Sequence, residues 1–322
     1  MKRLNLINLE KSDIKYKISK FPDGQQNVTI FTKAVLSNHM FHYDLNLKES
    51  DVNIHWNKNP VRIISHLNNF LDLELILCTV SALKEIGVTE IHLFTPYFIG
   101  ARSDRKFEEG GNWYLKQVVC PIINSLHLNS ITIVDPHSYV LGNLLNNFKF
   151  QTNLELVKWA TLDICGPIEE SGRNSKYPIT LISPDAGASH KIYKIAEQIG
   201  YTGDIVTCSK ERDEKGNLTK TVVPVIDDGN CNKDFIIIDD ICDGGRTFIN
   251  IAQKIKEYFN HEDFDGYQPK IYLIITHGIF SAGFTELNKW FDKIYCTNSY
   301  SDIGDFAGND LEKTNVKQLK II

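Results

Sequence analysis

The run Phe235-Ile-Ile-Ile-Asp-Asp-Ile-Cys-Asp-Gly-Gly-Arg-Thr247 constrains the fold more than any other stretch of the chain. Phe235 to Ile238 read as a buried strand, with Asp239 and Asp240 at its C-terminal end. A Gly-rich turn follows, and the apolar spacing from Thr247 onward is helical. In open α/β sheets, ligands bind beyond the C-terminal ends of strands. The turn feeds a helix N-terminus, whose free N–H groups suit a phosphate. Adjacent carboxylates there take ribose hydroxyls or a hydrated Mg2+. Together these parts describe a cradle for a sugar phosphate. The plainer reading is an ordinary strand–turn–helix in which Asp243 serves as the helix cap.

Strand and helix signals alternate along the rest of the chain, as in parallel α/β proteins. Val61 to Ile86 carries a helical period that ends at Gly87, and Thr89 to Phe94 reads as a strand. Trp113 to Leu126 is helical, Ser130 to Val134 a strand, and Val140 to Phe148 a turn into a further segment. A second series begins with the strand Ile179 to Ile182 and a helix from Ser189 to Ile199, followed by the strand Asp204 to Thr207. Lys210 to Lys220 is polar and holds Lys215-Gly-Asn, a hairpin or mobile-loop signal. Strands at Lys270 to Ile275 and Lys293 to Thr297 come after the Phe235 unit, and the closing Lys317 to Ile322 suits a last strand. The expected fold class is therefore α/β, in two similar halves joined near Lys149 to Leu154.

A length of 322 residues suits two domains. Hydrophobic content of 42% and charged content of 23% are those of a soluble globular protein. The net charge of −5 argues against nucleic acid as the main partner. Seven cysteines are scattered without a CxxC pair, which suits reduced, cytoplasmic usage rather than a disulfide framework or zinc site. No apolar run approaches a membrane span, and the N-terminus has no signal-peptide pattern.

Three more strand ends carry chemistry. Phe94 to Lys106 leads from a strand into a polar turn with Arg102, Ser103, Asp104, Arg105 and Lys106. Arginine forks match phosphate oxygens and stack on adenine, although a charge run is more often a solvated loop. In Val134-Asp-Pro-His-Ser138, His137 follows a strand and suits either a metal or a loop hydrogen bond. Ser183-Pro-Asp185 puts another carboxylate at a strand end.

In order and spacing these stretches resemble those of ribose-phosphate diphosphokinases, the phosphoribosyl-diphosphate synthetases. Phe21-Pro-Asp-Gly24 resembles the family's early Phe-Pro-Asp-Gly segment, and Pro96-Tyr-Phe with Ala101-Arg-Ser-Asp-Arg-Lys its nucleotide loop. Asp135-Pro-His resembles its Asp-Leu-His turn, Ser183-Pro-Asp its Ser-Pro-Asp turn, and the Asp239–Thr247 stretch its phosphoribosyl-diphosphate motif. Thr276-His-Gly-Ile-Phe-Ser281 and Thr297-Asn298 resemble its late markers.

The resemblance implies two Rossmann-like phosphoribosyltransferase-type domains, each with a mainly parallel central sheet and with the active site between them. The corresponding segments are 1–150, 151–304 and a tail, 305–322, expected to pack back on the N-terminal domain. The implied reaction moves the β,γ-diphosphate of ATP to the C1 hydroxyl of ribose 5-phosphate, with Mg2+. By the same resemblance Lys210 and Arg212 would close over the transferring group, and His137 and Asp185 would hold the metal. Phe21, Asp23, Gln25, Arg102, Ser103 and Asp104 would hold the nucleotide. Asp239 and Asp240 would bind the ribose hydroxyls, and Asp243, Gly244, Gly245, Arg246 and Thr247 would wrap the 5-phosphate. A dimer-based homo-oligomer, up to a hexamer, is implied as well, because the family's Phe-Pro-Asp-Gly segment reaches a neighbouring subunit's site. A cytoplasmic enzyme without nucleic-acid or membrane partners is the corresponding expectation.

The chain departs from the family pattern at several points. Gln25 replaces a glutamate, Ser103 a glutamine, and the segment after Lys106 lacks the basic pattern tied to phosphate/ADP regulation. The 5-phosphate loop, usually Asp-Thr-Ala-Gly-Thr, is Asp243-Gly-Gly-Arg-Thr247. A hydroxyl is lost and an arginine gained, which suits a terminal phosphate or the diphosphate bridge of ADP-ribose, an acceptor whose use would serve NAD resynthesis. A non-catalytic regulatory homologue is a further alternative, against which the retained Lys210, Arg212, His137, Asp185, Asp239 and Asp240 argue.

Overall fold

The computed structural model describes residues 1–31, 59–166, 179–212, 218–224, 233–260, 268–305 and 315–322, with backbone alone for 210–212 and 218–221. The chain divides into two compact units, Met1–Gln151 with Ile322, and Thr152–Ile321.

In the first unit β1 (Lys2–Asn5) is followed by an antiparallel hairpin of β2 (Tyr16–Lys20) and β3 (Gln26–Ile30). Then come β4 (Val61–Ile64), α1 (Phe70–Glu85), β5 (Ile91–Phe94), α2 (Cys120–Ser125), β6 (Ser130–Val134), α3 (Val140–Leu144) and β7 (Phe148–Gln151). The five-stranded sheet has the order β1-β4-β5-β6-β7, and every pair in it is parallel. Leu4, Ile63, Leu93 and Ile133 from its strands pack with Leu73, Ile76, Val80 and Leu83 of α1 in one core. Each such side chain contributes about 1.5–3 kcal/mol on leaving water.

The helical period expected over Val61 to Ile86 is two elements. Val61 and Ile63 are buried alternately with Arg62 and Ile64 and pair with strands on both sides, so that stretch is β4. The helix starts only after Asn69, whose side chain accepts from the N–H groups of Leu71 and Asp72 while Asp72 answers in a capping box. The segment expected over Val140 to Phe148 also divides: α3 stops at Leu144, and Phe148 begins the edge strand β7.

The second unit opens with α4 (Leu154–Cys165), then β8 (Ile179–Ser183), α5 (Ala186–Gln198) and β9 (Ile205–Thr207). The antiparallel hairpin β10 (Ser209–Arg212) and β11 (Leu218–Val222) follows. It leads to β12 (Asp234–Cys242), α6 (Arg246–Phe259), β13 (Ile271–Gly278), α7 (Thr285–Trp290), β14 (Lys293–Thr297) and β15 (Val316–Leu319). The sheet order is β15-β14-β13-β12-β8-β9, again parallel throughout. Its central strands are apolar on both faces, as helices on both sides require. Phe235 and Ile237 of β12 pack with Phe248, Ile251 and Ile255 of α6, whereas Ile236 and Ile238 pack with Ile192 and Ile195 of α5. Helices α5 and α6 therefore cover opposite faces.

Within the segment 305–322, Val316–Leu319 pair with β14 as the edge strand of the second sheet, and Ile322 groups with the first unit. The parallel architecture agrees with the α/β class read from the sequence.

Candidate functional site

The order of the second sheet reverses at β8, which has β9 on one side and β12 on the other. With α5 and α6 on opposite faces, the crevice at the C-terminal ends of β8 and β12 is a topological switch point. The β8–β12 ladder ends at Ile182 opposite Ile237, while β12 remains paired with β13 as far as Cys242 opposite Gly278. Asp239 and Asp240 thus lie within the strand, not past its end, on the stretch whose other edge is released from β8.

Asp240 is buried and Asp239 half-buried. Asp239 Oδ1 accepts from the Asp240 N–H at 2.9 Å. Burial holds the Asp239 carboxyl well above the usual carboxylate range, and the charge and carboxyl hydrogen bond of Asp240, then the charge of Asp185, push the same way. Asp240 Oδ2 lies 4.0 Å from Lys191 Nζ on α5. Asp185 is the N-cap of α5, where one oxygen accepts from the Ala188 N–H at 3.1 Å.

Beyond Cys242 the chain makes a tight turn. Gly245 has φ +77°, and a Cβ there would stand 2.8 Å from Leu287 Cδ2, so only glycine fits without displacement. Helix α6 opens at Arg246, with Gly245 in the cap position and no side chain capping it. This corrects the plainer sequence reading, since Asp243 does not cap the helix. Its Oδ1 instead accepts from the Ser281 hydroxyl at 2.5 Å. The N–H groups of Ile279 and Phe280 both donate to Cys242 O, at 2.9 and 3.1 Å, so the loop after β13 clasps the start of the turn. Phe248 and Ile249 N–H donate to Gly245 O. The N–H groups of Gly244, Gly245, Arg246 and Thr247 have no acceptor among the described residues, and the exposed Arg246 has no ion pair among them. The turn thus has the form of a cradle suited to an anion: several free donors at the N-terminus of a helix whose dipole favours negative charge.

The other sequence-derived candidates belong to other elements of the chain. Lys210 and Arg212 are in β10, opposite Thr221 and Leu218 of β11, with a bulge between Glu211 and Arg212. Their side chains, and the Lys215-Gly-Asn turn, lie outside the described residues. In the first unit, Phe21, Asp23 and Gln25 form the β2–β3 turn: Phe21 N–H donates to Gln25 O at 2.8 Å, and Gln25 N–H to Asp23 Oδ1 at 3.1 Å. Phe21 is 52% exposed. Gln26 Nε2 donates to Leu71 O at 2.6 Å, which ties this hairpin to the start of α1.

Arg102, Ser103 and Asp104 follow β5, with Arg102 exposed and Ser103 and Asp104 half-buried. Ser103 N–H donates to Gly100 O at 2.7 Å. Arg105 lies 5.9 Å from the ring centre of Phe107 in the same loop. His137 is exposed after β6, next to Asp135, whose N–H donates to Gln151 O at 2.7 Å. His137 and Asp185 belong to different units. Among the described residues, no three of His, Cys, Asp and Glu converge on a metal position, and no helix is long and apolar enough to cross a membrane.

Sequence reading passed over Lys191 and Ser281 as site residues. A signal for Lys191 was available: with Ala188, Ile192 and Ile195 it falls on the sheet-facing stripe of α5, an odd place for a lysine. Ser281 offered no signal beyond its place in the Thr276–Ser281 motif.

No family model matches the chain. It is 29% identical over 257 residues to the ribose-phosphate pyrophosphokinase of Mycoplasmopsis pulmonis, covering 79% of this chain and 70% of that protein. It is 28% identical over 191 residues to that of Saccharolobus solfataricus, covering 58% of each chain. The match to the Pyrococcus abyssi protein of the same name is 23% identical but spans 92% of this chain and 85% of that one. The chain thus spans less than two thirds of some of the curated relatives it matches. In fold it is similar to the crystal structure of phosphoribosylpyrophosphate synthetase from Mycobacterium smegmatis, with a TM-score of 0.69, 17% identity, and coverage of 97% of this chain and 88% of that one.

Proposed function

As the chain is a divergent member of the ribose-phosphate pyrophosphokinase family, we propose that it transfers the β,γ-diphosphate of ATP to the C1 hydroxyl of ribose 5-phosphate. The C1 oxygen attacks the β-phosphorus, the bond from that phosphorus to the α,β-bridging oxygen breaks, and AMP leaves. The hydroxyl proton passes to solvent. The products are phosphoribosyl diphosphate and AMP.

The observation that carries this reading is the continuity of the acidic strand end with the cradle. Asp239 and Asp240 are followed within a few residues by four backbone N–H groups with no acceptor among the described residues. The first pair suits ribose hydroxyls, and the second group suits a 5-phosphate on the same sugar. Asp243, steadied by Ser281, would fix the turn between them. The exposed Arg102 and the half-buried Ser103 and Asp104, with Phe21, Asp23 and Gln25 of the hairpin turn, are proposed to hold the nucleotide. Lys210 and Arg212 are proposed to neutralise the diphosphate in transfer, a reaction that is mostly positioning and charge compensation. A dimer-based homo-oligomer in the cytoplasm belongs to the same proposal.

The donor set fits Mg2+ in one form only. The proposed metal ligands are one carboxylate, Asp185, and one imidazole, His137. These are too few ligands for a protein cage, but Mg2+ ordinarily keeps waters and substrate phosphates in its shell. When bound, it would supply charge neutralisation on the ATP phosphates.

A second reading keeps the chemistry and changes the acceptor to ADP-ribose. The exposed guanidinium of Arg246 favours it, because a fork at the start of α6 with no ion pair among the described residues could meet a second phosphate. The experiment is incubation with ATP, Mg2+ and either ribose 5-phosphate or ADP-ribose, with nucleotides separated by chromatography. AMP formed with ribose 5-phosphate is the expected result, and ADP alone would refute diphosphate transfer. Arg246→Gly then separates the acceptors. It should cost ribose 5-phosphate little, but about 1.5–3 kcal/mol in kcat/KM if ADP-ribose is the true acceptor.

A further inference from the structure

We propose that Lys191 is a positioning residue for the acceptor site, acting through Asp240. The inference rests on the reading of Asp239 and Asp240 as the ribose-hydroxyl ligands. Lys191 sits six residues after Asp185 in α5, on the stripe formed by Ala188, Ile192 and Ile195. That stripe packs on Ile236 and Ile238 of β12, the same face to which strand alternation turns Asp240. The ammonium is thereby carried beneath the end of β12. Its Nζ lies 4.0 Å from Asp240 Oδ2, with side-chain exposures of 20% and 6%.

A lysine in an apolar stripe gives up hydration and needs a compensating partner. Here the partner is one of two adjacent carboxylates, and the choice matters. Lys191 offsets charge on Asp240, while Asp239 accepts from the Asp240 N–H. The arrangement makes the two carboxylates inequivalent before any ligand arrives. Asp240 is kept as a directed acceptor for a sugar hydroxyl. The same helix also begins at Asp185, so one rigid element carries both the cap carboxylate and the ammonium. Lysine is specified rather than a longer apolar residue because the contact is ionic, and arginine could reach the same carboxylate.

Four variants test this: Lys191→Met, Lys191→Arg, Asp240→Asn and the double Lys191→Met/Asp240→Asn. Steady-state kinetics give KM for each substrate, calorimetric titration gives ribose 5-phosphate affinity, and thermal melts report folding. Lys191→Met should raise KM for ribose 5-phosphate at least about tenfold, the scale of one misdirected charged hydrogen bond, with KM for ATP nearly unchanged. Lys191→Arg should recover most of the loss. In the Asp240→Asn background, Lys191→Met should add less than about twofold, because its route of action is already gone. A Lys191→Met protein with unchanged ribose 5-phosphate KM, or a double variant whose losses multiply, overturns the inference. If Lys191→Met does not fold, the double variant removes both charges together, and its ribose 5-phosphate affinity must match that of Asp240→Asn alone. Wild-type protein that neither binds nor turns over ribose 5-phosphate marks failure of the functional reading itself, a distinct outcome.

Discussion

The ends of the two parallel sheets expose their charged groups in opposite ways. Beyond β5 the first unit holds Arg102, Arg105 and Lys106 out in solvent, with Phe107 66% exposed beside Arg105. At the end of β12 the second unit buries Asp240, half-buries Asp239, and follows them with a turn that only glycine can make at residue 245. Exposed cations act through their number and reach, so each is individually replaceable. Buried carboxylates act through placement, and each is costly to hold and costly to lose. If both strand ends bind substrate as proposed, the first is the tolerant surface and the second the exacting one.

The largest expected effect tests that contrast directly. Asp239→Ala should lower kcat/KM for the acceptor by about 10- to 100-fold, on the order of two hydrogen bonds from a carboxyl that keeps its proton. Arg102→Ala should raise KM for ATP by only about five- to tenfold, the scale of one exposed contact. Steady-state kinetics on both variants decide it. Equal losses would show that burial does not rank the two surfaces.

A smaller effect follows from the carboxyl of Asp239 itself. Its folded-state pKa is raised, chiefly by burial, so the folded protein keeps a proton that the unfolded chain releases near pH 4. Stability from this group is then full below pH 4 and is lost as pH rises through the folded value. Asp239→Asn carries no such proton. Its stability relative to wild type should grow as pH increases from 4, by at most about 1.4 kcal/mol per pH unit while one proton is at stake. Denaturant melts across pH give the slope, and a falling difference would mean that Asp239 is ionised in the folded protein.

The legibility of this chain follows the same division. Phe235 to Ile238 admit few readings other than a central strand, and the aspartates and glycines after them are local signals. Ser130–Val134 and Lys293–Thr297 are strands with the bounds expected, because each is a short apolar run between polar residues. The stretch from Val61 misleads, since apolar residues at helical spacing continue from β4 across the turn into α1. Only the reciprocal cap at Asn69 and Asp72 marks the break, and a cap is a weaker signal than a period. Edge strand β7, Phe148-Lys-Phe-Gln151, is too short for its alternation to register. In the site, residues that follow strand ends could be read from the sequence. Ser281 could not, and Lys191 showed only as a charge on an apolar stripe, because their contacts join the turn and β12 to residues 38 and 49 positions away. Such partners are set by packing rather than by spacing.

The smallest expected effect concerns an acid with the opposite environment. Asp163 of α4 is 31% exposed and accepts from Lys317 Nζ at 2.8 Å, Tyr295 OH at 2.6 Å and Lys293 Nζ at 3.0 Å. These donors, Lys317 foremost, hold its carboxyl well below the usual carboxylate range. The network ties α4 to β14 and to the edge strand β15. A depressed folded-state pKa contributes stability above the unfolded value near 4, and that contribution is lost as pH falls through the folded value. Because the lysines are partly solvated, the expected cost of Asp163→Asn at neutral pH is about 1 kcal/mol. The cost should shrink below pH 4, whereas the Asp239→Asn difference should shrink toward the same pH from the stabilising side. Two acids in one unit would then give stability differences of opposite sign at neutral pH. If both substitutions destabilise there, the ranking of these carboxylates by burial and partner fails, and the exposed and buried surfaces do not differ in the way their geometry indicates.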